Sequence, residues 1–407
     1  MHRSTLATAL VVVFISYLGT PAAVKTGGYK TTDLVVNTSP LTDKNGQVHT
    51  APPAVVDSNL KNPWGVTEIP TGSPFWISDN AAGVATLYNV PASAPNSVTI
   101  NPRVVSIPTP VDLLGRSGAP TGTVFNITTL PGSTPGFMIS GVEADGITNI
   151  KAPARFLFAT EDGTIVGWNP MVNPVGFDPM KAGNYGIIAL DHSGDNFTNP
   201  INPSGAVYKG LAIATDAKGQ TRLYVTNFRS GMVEMYNEGF MALGSPPAFV
   251  DAKLPDSYAP FNIVLINGEL FVTFAVQNAE KHDDVAGESH GIVDVFDLDG
   301  TFRQRFAQHG QLNSPWGVAL APTNFGELGG ALWIGNFGNG HINAFDPESG
   351  KFLSKVRDAK GQAILIDGLW TITFGSNKDN GGSANTLYFT AGPNGETDGL
   401  FGSLNPN

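Results

Sequence analysis

Four polar residues close short apolar runs at matching places along the chain, and together they suggest one piece of chemistry. Asp79 follows Phe75 to Ser78, Glu161 follows Phe156 to Thr160, Asn227 follows Leu223 to Thr226, and Asn336 follows Leu332 to Gly335. If equivalent strand ends face one opening, these side chains form a ring. Oxygen ligands of mixed charge suit a hard cation such as Ca²⁺ or Mg²⁺. A cation so held polarises a carbonyl and activates water. The remaining two positions of the ring, Ala275 and Ala391, offer no ligand. The same residues have a plainer reading, because Asx side chains at strand ends accept bonds from their own turns. Glu161 fits that reading least.

A second group is local. His282, Asp283, Asp284, Glu288 and His290 stand within eleven residues, with Glu280 and Lys281 beside them. The composition suits a divalent metal, but the spacing matches no zinc signature. Otherwise the stretch is a solvated hairpin loop between Phe271–Val276 and Ile292–Asp297, long enough to cover an opening. Aromatics form a third group. Trp64 and Trp316 begin strands, while Phe228, Arg229 and Phe337 follow the polar turns, so all five are candidates to line a ligand site. Trp76 and Trp333 sit inside apolar strands and read as packing. Asp191, His192 and Ser193 are sequence neighbours rather than a triad, and there is no Gly-x-Ser-x-Gly elbow or phosphate loop.

The elements that must position these residues are short strands. The 407 residues include 48 Gly, 30 Pro and no Cys, and only 14% are charged, for a net charge of −11. This composition excludes helical bundles, thiolate zinc sites and disulfide scaffolds. So few cations argue against nucleic-acid binding. The phrase Pro-Trp-Gly-Val occurs at 63–66 and again at 315–318, and weaker copies anchor at 120, 208, 260 and 366, giving steps of 57, 88, 52, 55 and 51. The long step is assigned to extra loop in 171–207. Gly65, Gly122, Gly210, Gly317 and Gly368 share the third place of the motif, with Asn262 the exception. Glycine belongs where six inner strands crowd one axis.

Each unit supplies three strands and a weaker fourth, for which Val104–Ile107, Gly186–Leu190, Phe249–Lys253, Phe302–Phe306 and Phe352–Val356 are the expected segments. The last unit lacks a fourth strand, and Thr31–Val36 lacks a unit. The expected fold is therefore all-β: a six-bladed β-propeller over residues 24–407, its N-terminal strand completing the last blade and removing the free edge.

Residues 1–23 read as a secretory signal, with an apolar run from Leu6 to Leu18 and small residues at Thr20 to Ala23. The expectation is an exported, soluble monomer, extracellular or periplasmic, with no membrane span after cleavage. Three sequons begin at Asn37, Asn126 and Asn196.

The stretches Asn62–Val66, Ala159–Pro170, Tyr208–Ala214, Thr226–Gly231, Ala259–Ile263, Asn313–Pro322, Gly335–Asp346, Ile366–Trp370 and Leu387–Asn394 together resemble a largely uncharacterised family of exported, NHL-like six-bladed propellers. The resemblance runs from about Asp33 to Leu404 and implies fold and export, not a reaction. More distantly the chain is similar to the gluconolactonase and strictosidine-synthase-like propellers, which place a metal or a catalytic Glu in the channel. The ligands of those enzymes have no residue-by-residue match here. The favoured reading is a binding module that holds a small molecule, glycan or protein at the channel mouth. The alternative is a hydrolase or lactonase-like enzyme with a divalent cation in the channel.

Overall fold

The computed structural model describes residues 27–114, 118–194, 205–244 and 248–407. The signal-like segment and the sequon at Asn196 lie outside the described residues. Six antiparallel sheets follow one another along the chain, each led by an inner strand: Pro63–Thr67, Pro120–Phe125, Tyr208–Thr215, Tyr258–Ile266, Pro315–Leu320 and Leu369–Phe374. They are the blades of a six-bladed β-propeller, numbered 1 to 6 in that order. The strand Tyr29–Val36 pairs antiparallel with Leu400–Pro406, so the N-terminal strand closes blade 6 as expected.

The inner strands converge as the glycines require. A Cβ on Gly65 would stand 2.5 Å from the Thr121 carbonyl oxygen, and one on Gly122 would stand 2.5 Å from the Leu211 nitrogen. The two non-glycine positions bridge instead of clashing. Asn262 Nδ2 donates to the Trp316 carbonyl at 2.7 Å, and Thr371 Oγ1 donates to the Trp64 carbonyl at 2.7 Å. Thr371 thus holds the sixth place, not Gly368. Leu369 pairs with Ala391 as Pro63 pairs with Asp79, and Gly368 lies in the preceding turn with φ 67°.

Two other expectations change. The surplus in blade 2 lies partly ahead of its second strand, where the hairpin Met138–Val142/Asn149–Pro153 is inserted, and not only in 171–207. Blade 3 has three strands among the described residues. Its expected fourth, Phe249–Lys253, is turned aside: Phe249 has φ 60°, and Asp251 Oδ1 accepts from the Lys253 nitrogen at 2.9 Å. A local Asx turn here outcompetes strand propensity.

Apolar packing follows the blades. Trp76, Phe156 and Trp168 fill the space between blades 1 and 2, and Trp333, Ile372 and Phe389 that between blades 5 and 6. Similar clusters separate the remaining pairs. Another lies on the axis itself: Trp64, Phe228, Phe261, Trp316 and Trp370, from five different blades, with Phe337 packed against it. Asn126 of the second sequon is fully buried and bonds the Ala154 and Gly136 carbonyls, so the folded chain does not offer it for modification.

Candidate functional site

The second residue of each inner-strand motif points to the axis. These six are Trp64, Thr121, Lys209, Phe261, Trp316 and Trp370. Trp64 stacks on Trp370 with ring centroids 3.5 Å apart, and Phe337 stacks on the other side at 3.9 Å. Trp316 meets both tryptophans edge-on at 6.0 and 5.8 Å. The rings close the channel as a floor, and Lys209 is the one charged member of this tier.

Lys209 is 1% exposed, yet its environment keeps it charged. Burial alone would lower its pKa, but Glu161 and then Asp283 outweigh that, and the pKa ends above the ordinary value. The ammonium bonds Glu161 Oε1 and stands 3.5 Å from Asp283 Oδ1. Beneath it lie the faces of Trp64 and Phe228, at 5.0 and 5.8 Å. A cation above two aromatic faces gains further electrostatic stabilisation.

A hydrogen-bonded chain continues across the mouth. Asn80 Nδ2 donates to Glu161 Oε2 at 2.8 Å. Asn62 Nδ2 donates to Asn80 Oδ1 at 3.3 Å and to Glu396 Oε2 at 2.6 Å. Asn62 Oδ1 in turn accepts from Trp370 Nε1 at 2.8 Å, tying the polar tier to the floor. Asn62 has φ 46° and Glu396 φ 70°, and Glu396 ends a turn in which Asn394 and Gly395 are also left-handed. Side chains held in such backbone conformations are found where a site demands an orientation. Burial, then the Glu161 charge, pushes the Glu396 carboxyl up to about 7.

The acidic loop lies over this mouth. Burial alone would raise the Asp283 carboxyl, but His282, bonded at 2.8 Å, and the Lys209 charge hold it down at about 2. Glu161, His282 and Asp283 offer three ligand atoms within 4.8 Å of one another. This donor set fits a divalent cation in type. Lys209 competes for it, because its ammonium already neutralises two of the three. Asp284 is half-buried, and desolvation of its carboxyl raises its pKa. Glu288 is exposed, and His290 Nδ1 donates to the Val285 carbonyl at 2.9 Å, within the loop.

Of the four ring residues read from the sequence, Glu161 alone reaches this cluster. The pairing explains why: Pro120 faces Thr160, as Pro63 faces Asp79, Tyr208 faces Asn227 and Pro315 faces Asn336. Glu161 therefore stands one residue beyond the others, in register with Asn80, Phe228 and Phe337, and alternation turns it to the opposite side. Asp79 is buried within blade 1, where burial pushes its carboxyl well above the usual range and the Thr86 hydroxyl offsets this only in part. Asn227 caps its own hairpin, accepting from Ser230 at 3.2 Å and donating to Glu234 at 2.7 Å. Asn336 donates to the Gln311 carbonyl at 2.7 Å and to Asn339 at 3.1 Å. Trp64, Trp316, Phe228 and Phe337 form or flank the floor. Arg229 bonds the Gly205 carbonyl at 2.8 Å, beside the mouth.

Lys209, Asn62, Asn80 and Glu396 were not singled out by sequence. The signal for Lys209 was present: aligning Tyr-Lys-Gly at 208–210 with Pro-Trp-Gly at 63–65 puts the lysine on the axis. Glu396 belongs to no repeat copy and carries no such signal.

No family model matches the chain. Its relatives include three uncharacterized proteins of Acanthamoeba polyphaga mimivirus. One is 28% identical over 86% of this chain and 76% of its own length, and another is 28% identical over 86% and 81%. The third is 31% identical over 55% of this chain and only 39% of its own length. Among solved structures, an aldose sugar dehydrogenase from Streptomyces coelicolor aligns over 94% of this chain and 98% of its own, at 14% identity and a TM-score of 0.45. A gluconolactonase from Xanthomonas campestris aligns over 67% and 87%, at 16% identity and a TM-score of 0.36. Likeness at this level concerns the course of the chain and says nothing of chemistry. Among the described residues, no helix is long and apolar enough to cross a membrane.

Proposed function

We propose that the chain is an exported, monomeric binding protein whose polar channel mouth takes a small polyhydroxy ligand. The observation that supports this reading is the convergence on Lys209 of side chains from blades 1, 2 and 6 and from the acidic loop of blade 4. Asn62, Asn80, Glu161, Glu396 and Asp283 alternate donors and acceptors over an aromatic floor, as a hydroxyl-rich ligand requires. A lysine held charged is a poor nucleophile, so the cluster supports recognition rather than covalent catalysis. Export rests on residues 1–23. The test is calorimetric titration with neutral sugars, sugar acids and short glycans, repeated on Lys209→Met and Glu161→Gln. Millimolar or tighter binding that falls at least tenfold in both folded variants supports the reading. Binding unaffected by either variant, or no binding across the panel, overturns it.

The second reading is a divalent cation held by Glu161, His282 and Asp283, which would serve lactonase-like hydrolysis. It is favoured by the closeness of those three ligand atoms. A Ca²⁺- or Mg²⁺-induced rise in melting temperature that Glu161→Gln abolishes would select it.

A further inference from the structure

The turn that carries Glu396 to the polar mouth is held from behind. Asn394, two residues earlier, donates its backbone N–H to Asp367 Oδ2 at 3.0 Å. Its side-chain Nδ2 donates to the Thr42 carbonyl at 3.0 Å and to Asp398 Oδ2 at 2.9 Å. Asp367 precedes the inner strand of blade 6 and is buried. Its Oδ1 pairs with Lys44 Nζ at 2.6 Å. Thr42 and Lys44 both belong to a small hairpin ahead of blade 1, in which Leu41–Thr42 pairs with Val48–His49. The hairpin therefore grips the turn twice, once through the Thr42 carbonyl and once through Asp367.

His49, at the end of this hairpin, is also buried. Its Nδ1 bonds Asp33 Oδ2 at 2.9 Å, on the strand that closes blade 6. Its Nε2 stands 4.0 Å from Asp43 Oδ2, in the hairpin's own turn. Asp33, Asp43, His49, Asp367 and Pro393 line one cavity of about 10 Å³, so the imidazole and three carboxyl groups meet in one place. Two cations answer those three groups, His49 when protonated and Lys44. Asp398 lies beyond Asn394 and accepts from Asn37 Nδ2 at 2.9 Å. Burial alone would lower the His49 pKa, but Asp33, then Asp43 and Asp367, raise it above the ordinary value. Taking the charge from one member of a buried ionic cluster leaves the others uncompensated, which is strongly destabilising.

We propose that the hairpin 41–49 is a proton-controlled brace for the mouth: with His49 charged it locks the Asn394–Glu396 turn against blade 6, and with His49 neutral it loosens and Glu396 loses its set position. Asp367 is the positioning residue of this device, because it bonds the hairpin with one oxygen and the turn with the other. A histidine whose folded pKa is raised holds its proton more tightly in the folded state. The hold is therefore complete below the ordinary value of 6.5 and is lost as pH rises through the folded value. The effect on ligand affinity rests on the reading of the mouth as a ligand site; the hold on the turn does not.

The test is hydrogen exchange read by mass spectrometry on the whole protein at about pH 6 and about pH 8.5, each rate divided by its intrinsic rate. Relative to the inner strand Tyr258–Ile266, the stretch 393–399 should lose protection about three- to tenfold at the higher pH. His49→Gln keeps a hydrogen-bonding group and removes the charge. Its turn should be as poorly protected at about pH 6 as the wild-type turn is at about pH 8.5. Lys44→Met, at a side chain that is 62% exposed, serves should the first variant fail to fold. It should lower protection of the turn at both pH values and keep the dependence on pH. Affinity for a sugar bound at the mouth should fall in parallel with protection. Unchanged protection of the wild-type turn between the two pH values overturns the brace, as does a wild-type profile in either variant. Exchange that responds as expected while no sugar of the panel binds upholds the brace and overturns only the reading of the mouth as a site for polyhydroxy ligands.

Discussion

At the scale of single residues, the molecule is defined by ionisable groups that burial and neighbours have moved. Lys209 stays charged because two carboxylates surround it, and the Glu396 carboxyl is pushed up to about 7 by burial first and then by the Glu161 charge. A carboxyl whose folded pKa is raised binds its proton more tightly in the folded state. Its contribution is therefore complete below the ordinary value of 4.5 and is lost as pH rises through about 7. Glu396→Gln removes that titration while preserving an acceptor for Asn62. The variant should match the wild type near pH 4 and exceed it by on the order of 1–2 kcal/mol at pH 8, measured by urea unfolding across that range. Equal stability at pH 8 would show that Glu396 is not strained by its neighbours.

At the scale of elements, ring closure depends on one strand. Tyr29–Val36 pairs along its length with Leu400–Pro406, and its first residue also grips blade 5. The Tyr29 hydroxyl donates to the Phe325 carbonyl at 2.9 Å and accepts from the Leu328 nitrogen at 2.9 Å, while the ring meets Trp333 edge-on at 5.1 Å. Tyr29→Phe keeps the ring contact and leaves two backbone groups without their partner. We expect a loss of about 1–2 kcal/mol in equilibrium unfolding, with the transition still cooperative. A cost near zero would mean that water replaces the hydroxyl freely. This strand was legible because it was an orphan: a propeller with an incomplete last unit must find its missing strand, and only the N-terminus had one to give. The Phe249–Lys253 strand was not legible as a failure, because the Asx turn at Asp251 forms within the same residues that look strand-like.

At the scale of the whole molecule, several displaced groups act in one direction. Burial pushes Glu68 up to about 8, Glu396 to about 7, and Asp162 and Asp294 each to about 6. His49 is raised as well: burial opposes this, but its hydrogen bond to Asp33 at 2.9 Å outweighs the cost. Each of these contributions is lost as pH rises through the folded value. Asp283, held down at about 2, runs the other way and is lost only in strong acid. The net charge of −11 adds self-repulsion as pH rises. The melting temperature should therefore be highest between about pH 4 and 6 and should decline toward pH 8. A thermal-shift series in matched buffers checks this, and a melting temperature that climbs from pH 5 to 8 would contradict it.

The sequence by itself determined the architecture. Six copies of one strand pattern, glycine where the inner strands crowd, a last unit one strand short and a spare strand near the N-terminus leave few folds open, because period and close approach are local properties of the chain. The axial role of Lys209 was nearly visible for the same reason, in its place beside Gly210. The tertiary structure alone decided the site. Glu161 differs from Asp79, Asn227 and Asn336 by one residue of register, and in a strand one residue is the difference between facing a neighbouring blade and facing the axis. Glu396 reaches the mouth through left-handed backbone that no periodicity encodes. Asp283 reaches it through a loop whose path depends on what it packs against. The aromatic floor beneath the polar mouth likewise exists only once Trp64, Trp316 and Trp370, distant in sequence, meet on the axis.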